Sequence, residues 1–135
     1  MRVFLDTNVL VSAFAARGLC AEVVELVLLD HDLILGRNVL RELDKALREK
    51  VKLPDTRSVE ITEFLSGEAI QVVDKAEPAE VNVDAADALV LGEALAGQAE
   101  TFVTGDAALL QLAAVGALKI VSPRQFWEIL RTRNG

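Results

Sequence analysis

Four acidic residues stand where carboxylates could share one task. Asp6 closes the apolar stretch VFLD, Asp106 closes FVTGD, Asp87 lies in VDAADALVLGEALAG, and Glu42 lies in VLREL. Arg2 to Leu5 and Thr101 to Val103 are short, apolar and rich in β-branched or aromatic residues, as strands buried on both faces of a parallel sheet are. Each such strand would deliver its acid to the carboxyl edge of the sheet, where open α/β folds bind ligands. Asp84 is a good N-cap for the helix that follows, which sets Asp87 one turn inside it, at the positive end of the helix dipole. Glu42 falls early in a helix that follows a strand ending at Leu35. Because crossover helices begin near the carboxyl ends of strands, all four acids are expected on one rim.

Grouped acids without compensating lysines repel one another. Their pKa values are expected to rise together unless cations are present. Ligands that are all oxygen favour Mg²⁺ or Mn²⁺ over zinc, and no cluster of Cys and His argues otherwise. His31 reads as an exposed turn residue between Asp30 and Asp32, and Cys20 as a small core residue. Divalent ions held by aspartates suit phosphodiester hydrolysis. Thr7, Asn8 and Thr104 have the size to orient a water or a ligand carboxylate. A plainer reading exists for each acid: Asp6 or Asn8 caps the first helix, Asp84 and Asp106 cap theirs, and Glu42 is a surface charge. Replacing Asp6 or Asp87 by Asn relieves like-charge repulsion, so either change is expected to leave the fold intact or more stable.

The elements that must position these residues follow from pattern. Helices are expected over 8–16, 20–29, 39–50 with Asn38 as cap, from Thr56 or Ser58 to about Leu65, 85–96 stopped by Gly97, 107–114, and from Pro123 onward with Ser122 as cap. Strands are expected over 2–5, 33–35, 70–73, 101–104 and 118–121, and 75–82 reads as a loop. In the helix over 39–50, Val39, Leu40, Leu43 and Leu47 share one face and Arg41, Lys45 and Arg48 lie opposite, with Glu42 on the border. Strands separated by helices throughout predict a three-layer α/β/α sandwich with a mainly parallel central sheet.

A length of 135 residues suits one domain spanning 1–135 with a sizeable core. One cysteine excludes an internal disulfide framework, and without a leader-like start the chain reads as cytoplasmic. No apolar run approaches the roughly 18 residues that a membrane helix needs. Hydrophobic residues make up 52% of the chain and mean hydropathy is +0.34, so some apolar surface is expected to meet another chain. The formal charge of −7 argues against gripping nucleic acid by bulk electrostatics. A local basic patch remains: Arg37, Arg41, Lys45, Arg48, Lys50 and Lys52 are six of the fourteen basic residues. Arg37, Arg41 and Lys45 are the candidate phosphate contacts, and a solvated helix face is the alternative.

Taken in order, LDTNVLVSA, VLREL, DAADALVLGEALAG, FVTGDAALL and IVSPRQFWEIL resemble the PIN-domain ribonucleases, especially the VapC-like toxin components of toxin–antitoxin pairs. The resemblance spans essentially the whole chain. It implies a PIN-like fold and a metal-dependent endoribonuclease that uses Asp6, Glu42, Asp87 and Asp106 around Mg²⁺ or Mn²⁺. It further implies an RNA substrate, a small antitoxin partner, and a homodimer or higher homo-oligomer. One departure is the turn LGRN before Glu42, where relatives often carry a Ser and Pro pair, a difference that bears on capping. Asp84 and Asp87 could trade roles, although Asp87 matches the motif better.

Two other classes compete. A phosphoryl-acceptor domain, receiver or phosphatase, also places an Asp after its first strand. The phosphatase pattern wants a second Asp where Asn8 stands, and the receiver wants a lysine after a late strand, whereas Lys119 begins one. A non-catalytic binding module, with the acids serving solubility or a partner, is the third.

Overall fold

The carboxyl ends of the first and fourth strands lie side by side, and that adjacency organises the molecule. The computed structural model describes residues 1–134. In chain order the elements are β1 (Arg2–Leu5), α1 (Thr7–Ala15), α2 (Leu19–Asp30), β2 (Asp32–Gly36), α3 (Arg37–Glu49), α4 (Asp55–Glu68), β3 (Gln71–Val73), α5 (Ala85–Ala96), β4 (Thr101–Val103), α6 (Ala107–Leu112), β5 (Ala114–Val115), β6 (Leu118–Val121) and α7 (Pro123–Asn134). The sheet order is β3-β2-β1-β4-β6-β5, parallel except where β5 pairs with β6. This is a three-layer α/β sandwich.

From β1 the chain moves outward to β2 and β3, then returns across the sheet to β4 and continues outward to β6. The connections leaving β1 and β4 therefore diverge and open a crevice between the two strand ends, the switch point at which such sheets bind ligands. Register puts Leu5 beside Val103, so Asp6 and the Thr104–Asp106 turn emerge together. Beneath them the core is apolar. Val3, Phe4, Leu5, Leu33, Ile34, Leu35, Phe102 and Val103 are buried, and the Phe4 and Phe102 rings stack with centroids 5.3 Å apart.

Four expectations are corrected. The helix from Ala107 ends at Leu112, because Ala113 turns to φ 61° and Ala114–Val115 doubles back along β6 through Gly116 at φ 59°. Asn38 is not the cap of α3, since Arg37 already begins that helix and Gly36 is the cap residue. Gly97 ends α5 as expected, at φ −80°, and the left-handed residue is Gln98. A glycine is needed at 97 for space, because a Cβ there would stand 2.5 Å from Ile34 Cγ2. His31 and Cys20 are half-buried; His31 lies edge-on to Phe126.

Ser122 and Gln125 form a reciprocal capping box that starts α7: the Gln125 amide donates to Ser122 Oγ and the Ser122 amide to Gln125 Oε1. The expected apolar surface is present. Leu29 is 71% and Phe64 49% exposed, and both line a groove with Phe14 and Leu28 between α1, α2 and α4. No helix among the described residues is long and apolar enough to cross a membrane.

Candidate active site

Asp6 is the single residue between β1 and α1, and that tight turn turns its carboxylate back onto the strand ends. It is 6% exposed and both oxygens are engaged. Oδ1 accepts the Thr7 amide at 2.8 Å; Oδ2 accepts the Thr104 hydroxyl at 2.8 Å and the Asn8 side-chain amide at 3.1 Å. Asp6 is thus the cap of α1 and a member of the rim at once. Burial pushes its carboxyl above the usual range, while the Thr104 and Thr7 hydrogen bonds pull it back.

Thr104 holds the two strand ends in register. Its fully buried hydroxyl donates to Asp6 and accepts the Asp106 amide at 3.0 Å and the Asn8 side-chain amide at 3.3 Å. Asn8 Oδ1 in turn accepts the Gly105 amide at 2.8 Å. Asp106 caps α6 through Oδ1 on the Ala108 amide at 2.8 Å, which leaves its second oxygen for other use. The cap and rim readings of Asp106 are compatible for that reason.

On α3, Val39, Leu43 and Leu47 are buried and Glu42 is half-buried on the border of that face. The Thr7 hydroxyl donates to Glu42 Oε2 at 2.7 Å, tying α3 to the start of α1. Asp84 caps α5 by accepting the Asp87 amide at 2.8 Å and is itself exposed. Asp87 is half-buried, and its carboxyl is pushed up to about 6 by burial and then by the charges of Asp84, Asp106, Asp6 and Glu42. Burial is the largest cause, and the neighbouring acids add to it in the same direction.

Sequence pattern missed Glu93. It lies in the interior of α5 at 1% exposure, and its Oε2 accepts the Asn38 backbone amide at 2.8 Å and the Asn38 side chain at 3.3 Å. Burial raises its carboxyl while the Asn38 and Val39 amides lower it. An acid inside ALVLGEALAG, otherwise apolar, was the available signal.

The basic stretch divides. Lys45 shares a cleft with Thr7 and Glu42, one helical turn along α3 from that acid. Arg37 and Arg41 line clefts facing α4 and the Asp74–Glu77 segment; Arg37 pairs with Asp74. Arg48 is bound to Asp44 and Asp55. Among the described residues Arg41 and Lys45 have no ion-pair partner, and none of the four rim acids is paired with a cation.

Those unpaired, all-oxygen donors fit a hard divalent cation chemically. Among the described residues no three Cys, His, Asp or Glu side chains are drawn together as a ready-made cage. A site of that kind suits Mg²⁺, which keeps several waters and takes one or two carboxylates.

Asp6 and Asp87 part company under substitution, contrary to the sequence expectation. In Asp6→Asn a carbonyl oxygen facing Thr7 leaves an NH₂ against the Thr104 hydroxyl and Asn8 amide, which are both donors. Thermal or urea unfolding is expected to show a loss of about 1–2 kcal/mol. A variant as stable as the parent would mean that the network around Thr104 reorganises.

The fold and this rim define an α/β protein with an acidic crevice at its switch point. The chain belongs to the PIN domain family, whose model matches residues 2–108. PIN domains are generally nucleases and typically depend on divalent metal. The fold is similar to a chain in the crystal structure of VapBC2 from Rickettsia felis bound to a DNA fragment from their promoter, with TM-score 0.65, 15% identity, and coverage of 90% of this chain and 98% of that one. It is likewise similar to a chain of VapBC-1 from nontypeable Haemophilus influenzae, with TM-score 0.65, 19% identity, and coverage of 92% and 99%. No curated protein matches the chain.

Proposed function

We propose that residues 1–135 form one catalytic domain, a Mg²⁺- or Mn²⁺-dependent endoribonuclease acting as the toxin of a toxin–antitoxin pair in the cytoplasm. The observation that carries this reading is the gathering of unpaired acids at the switch point: Asp6 and Asp106 are joined through Thr104, Glu42 is tied to the start of α1 by Thr7, and Asp87 feels the charge of all three. Asp6, Asp87 and Asp106 would hold the ion, with Glu42 at the border. A bound divalent ion supplies positive charge that activates water and offsets charge on the leaving oxygen. Thr104 and Asn8 orient the Asp6 carboxylate, Thr7 holds Glu42, and Asp84 fixes the first turn of the Asp87 helix. Lys45 contributes a cation to the phosphate backbone beside Glu42, and Arg37 and Arg41 extend that contact.

An antitoxin partner is supported by the VapBC assemblies of similar fold and by the exposed apolar groove of Phe14, Leu28, Leu29 and Phe64. Self-association as a homodimer or higher homo-oligomer accords with the further exposed residues Val59, Ile70 and Leu95. A non-catalytic binding module would carry the same acids, so metal dependence is the decisive property.

The test is cleavage of a mixed RNA pool by purified protein with Mg²⁺, with Mn²⁺ and with chelator. Cleavage with either ion and none with chelator is expected. Absence of cleavage together with no metal-induced rise in melting temperature would favour the binding module. Lys45→Glu is expected to weaken RNA binding about tenfold at low salt and to reduce the salt slope by about one. Fluorescence anisotropy with chelator present reads both. Unchanged binding would return Lys45 to the role of a solvated helix residue.

A further inference from the structure

We propose that Glu93 is a positioning residue for the acidic crevice, a buried strut on α5 that holds α3, and with it Glu42, at a set distance from Asp87. The proposal rests on the metal-dependent reading above. Helix α3 has no side-chain cap of its own. Gly36 occupies the cap position of α3 and has no side chain to offer, so the first-turn amides would be left without partners at a buried helix end. Glu93 fills that role from another helix, with Oε2 on the Asn38 amide.

The fit between the two residues is close. A Cβ at position 36 would lie 2.1 Å from Glu93 Cδ, 2.2 Å from Oε1 and 2.4 Å from Oε2, so the glycine is the space into which the carboxylate fits. The backbone at Gly36, φ −128° and ψ 159°, is open to any residue. A serine there could cap α3 locally, without burying an acid. The chain instead buries a carboxylate whose Oε1 has no hydrogen-bond partner, an arrangement that costs stability. What the carboxylate provides and a local serine cannot is a link between helices. Asn38 lies one turn before Glu42 on α3, and Glu93 lies less than two turns after Asp87 on α5, so one side-chain contact joins the two acids through two short, stiff helical segments.

A cap and a strut predict different results for three variants. Glu93→Ala removes both functions. Glu93→Ala combined with Gly36→Ser restores a local cap in the vacated space but leaves α3 and α5 unlinked. Glu93→Gln keeps an acceptor oxygen for Asn38. The readouts are the melting temperature of the metal-free protein and Mn²⁺ affinity measured by calorimetry. Glu93→Ala is expected to melt several degrees lower and to bind Mn²⁺ about tenfold more weakly, as loss of a ligand-orienting contact does. The double variant is expected to regain most of the melting temperature and none of the affinity, and Glu93→Gln to stay within about threefold of the parent affinity. Recovery of affinity along with stability in the double variant, or parental affinity in Glu93→Ala, would reduce Glu93 to a cap and overturn the proposal. A drop in Glu93→Gln as large as in Glu93→Ala would overturn it too. A parent protein that binds no Mn²⁺ would instead overturn the metal reading, and the strut with it.

Discussion

Asp87→Asn is expected to abolish metal-dependent RNA cleavage, by at least ~100-fold, and to make the metal-free protein more stable at neutral pH. The two effects share one cause. The Asp87 carboxyl moves from the ordinary aspartate value of 3.8 up to about 6 through burial and the charges of Asp84, Asp106, Asp6 and Glu42. A carboxyl raised on folding takes up a proton in the folded state at a pH where the unfolded chain has lost it. Stability from this group therefore falls as pH rises from about 4 to 6, and the penalty is complete above the folded value. Discounted for the partial exposure of Asp87, it amounts to about 1–2 kcal/mol. Melting of parent and variant at about pH 5 and about pH 7 isolates the contribution, because other titrating groups are common to both. The variant's advantage should be largest at the higher pH and shrink at the lower. Mg²⁺ should then raise the melting temperature of the parent more than that of the variant, since a ligand stabilises in proportion to its affinity for the folded state. An advantage that does not depend on pH would show that Asp87 is free of its neighbours' charge. Parental cleavage by the variant would remove Asp87 from the site.

Gly92→Ala should lower stability by about 3 kcal/mol, although helix propensity alone predicts a gain of about 1 kcal/mol. Gly92 lies inside α5, where glycine is a poor helix former. Its hydrogen faces the segment that leads from β3 to α5: a Cβ would stand 1.9 Å from the Glu77 carbonyl oxygen and 2.9 Å from the Glu77 carbonyl carbon. Both are backbone atoms, so the clash cannot be relieved by a rotamer change. Either the segment lifts from α5, breaking the 2.8 Å bond from the Ala79 amide to the Ala88 carbonyl, or α5 moves and carries Asp87 and Glu93 with it. Gly67→Ala is the matching control. Gly67 is also helical, in α4, and a Cβ there meets nothing within 4 Å, so propensity should prevail and stability rise by up to about 1 kcal/mol. Urea unfolding of both variants reads the contrast. Stabilisation of both would mean that the segment before α5 yields at little cost.

Much of the fold was legible in the sequence because it rests on near neighbours. The bounds of β1, β6 and α5 follow from runs of apolar residues closed by Asp6, Ser122, Asp84 and Gly97, and the border position of Glu42 follows from helical spacing on α3. The short strand β5 was not legible. Ala114 and Val115 sit in an Ala- and Leu-rich run that suits a helix, and only pairing with β6 makes them a strand. The cap of α3 was misread for a similar reason: Asn38 is a good capping residue by type, yet the carboxylate that serves the helix comes from α5.

The sequence by itself determined the alternation of strands and helices and the local positions of Asp6, Glu42, Asp87 and Asp106 on them, because hydrophobic period and capping preference act over a turn of helix or a few residues of strand. Only the tertiary structure decided that Asp6 is pinned by Thr104 while Asp87 stands among like charges, that Lys45 shares the Glu42 cleft while Arg37 turns to Asp74, and that Gly36 and Gly92 are spaces for Glu93 and for the Glu77 carbonyl. Each of those outcomes is a contact between segments distant in the chain, and steric exclusion, burial and Coulomb repulsion act according to distance in space, which a local pattern of residues does not contain.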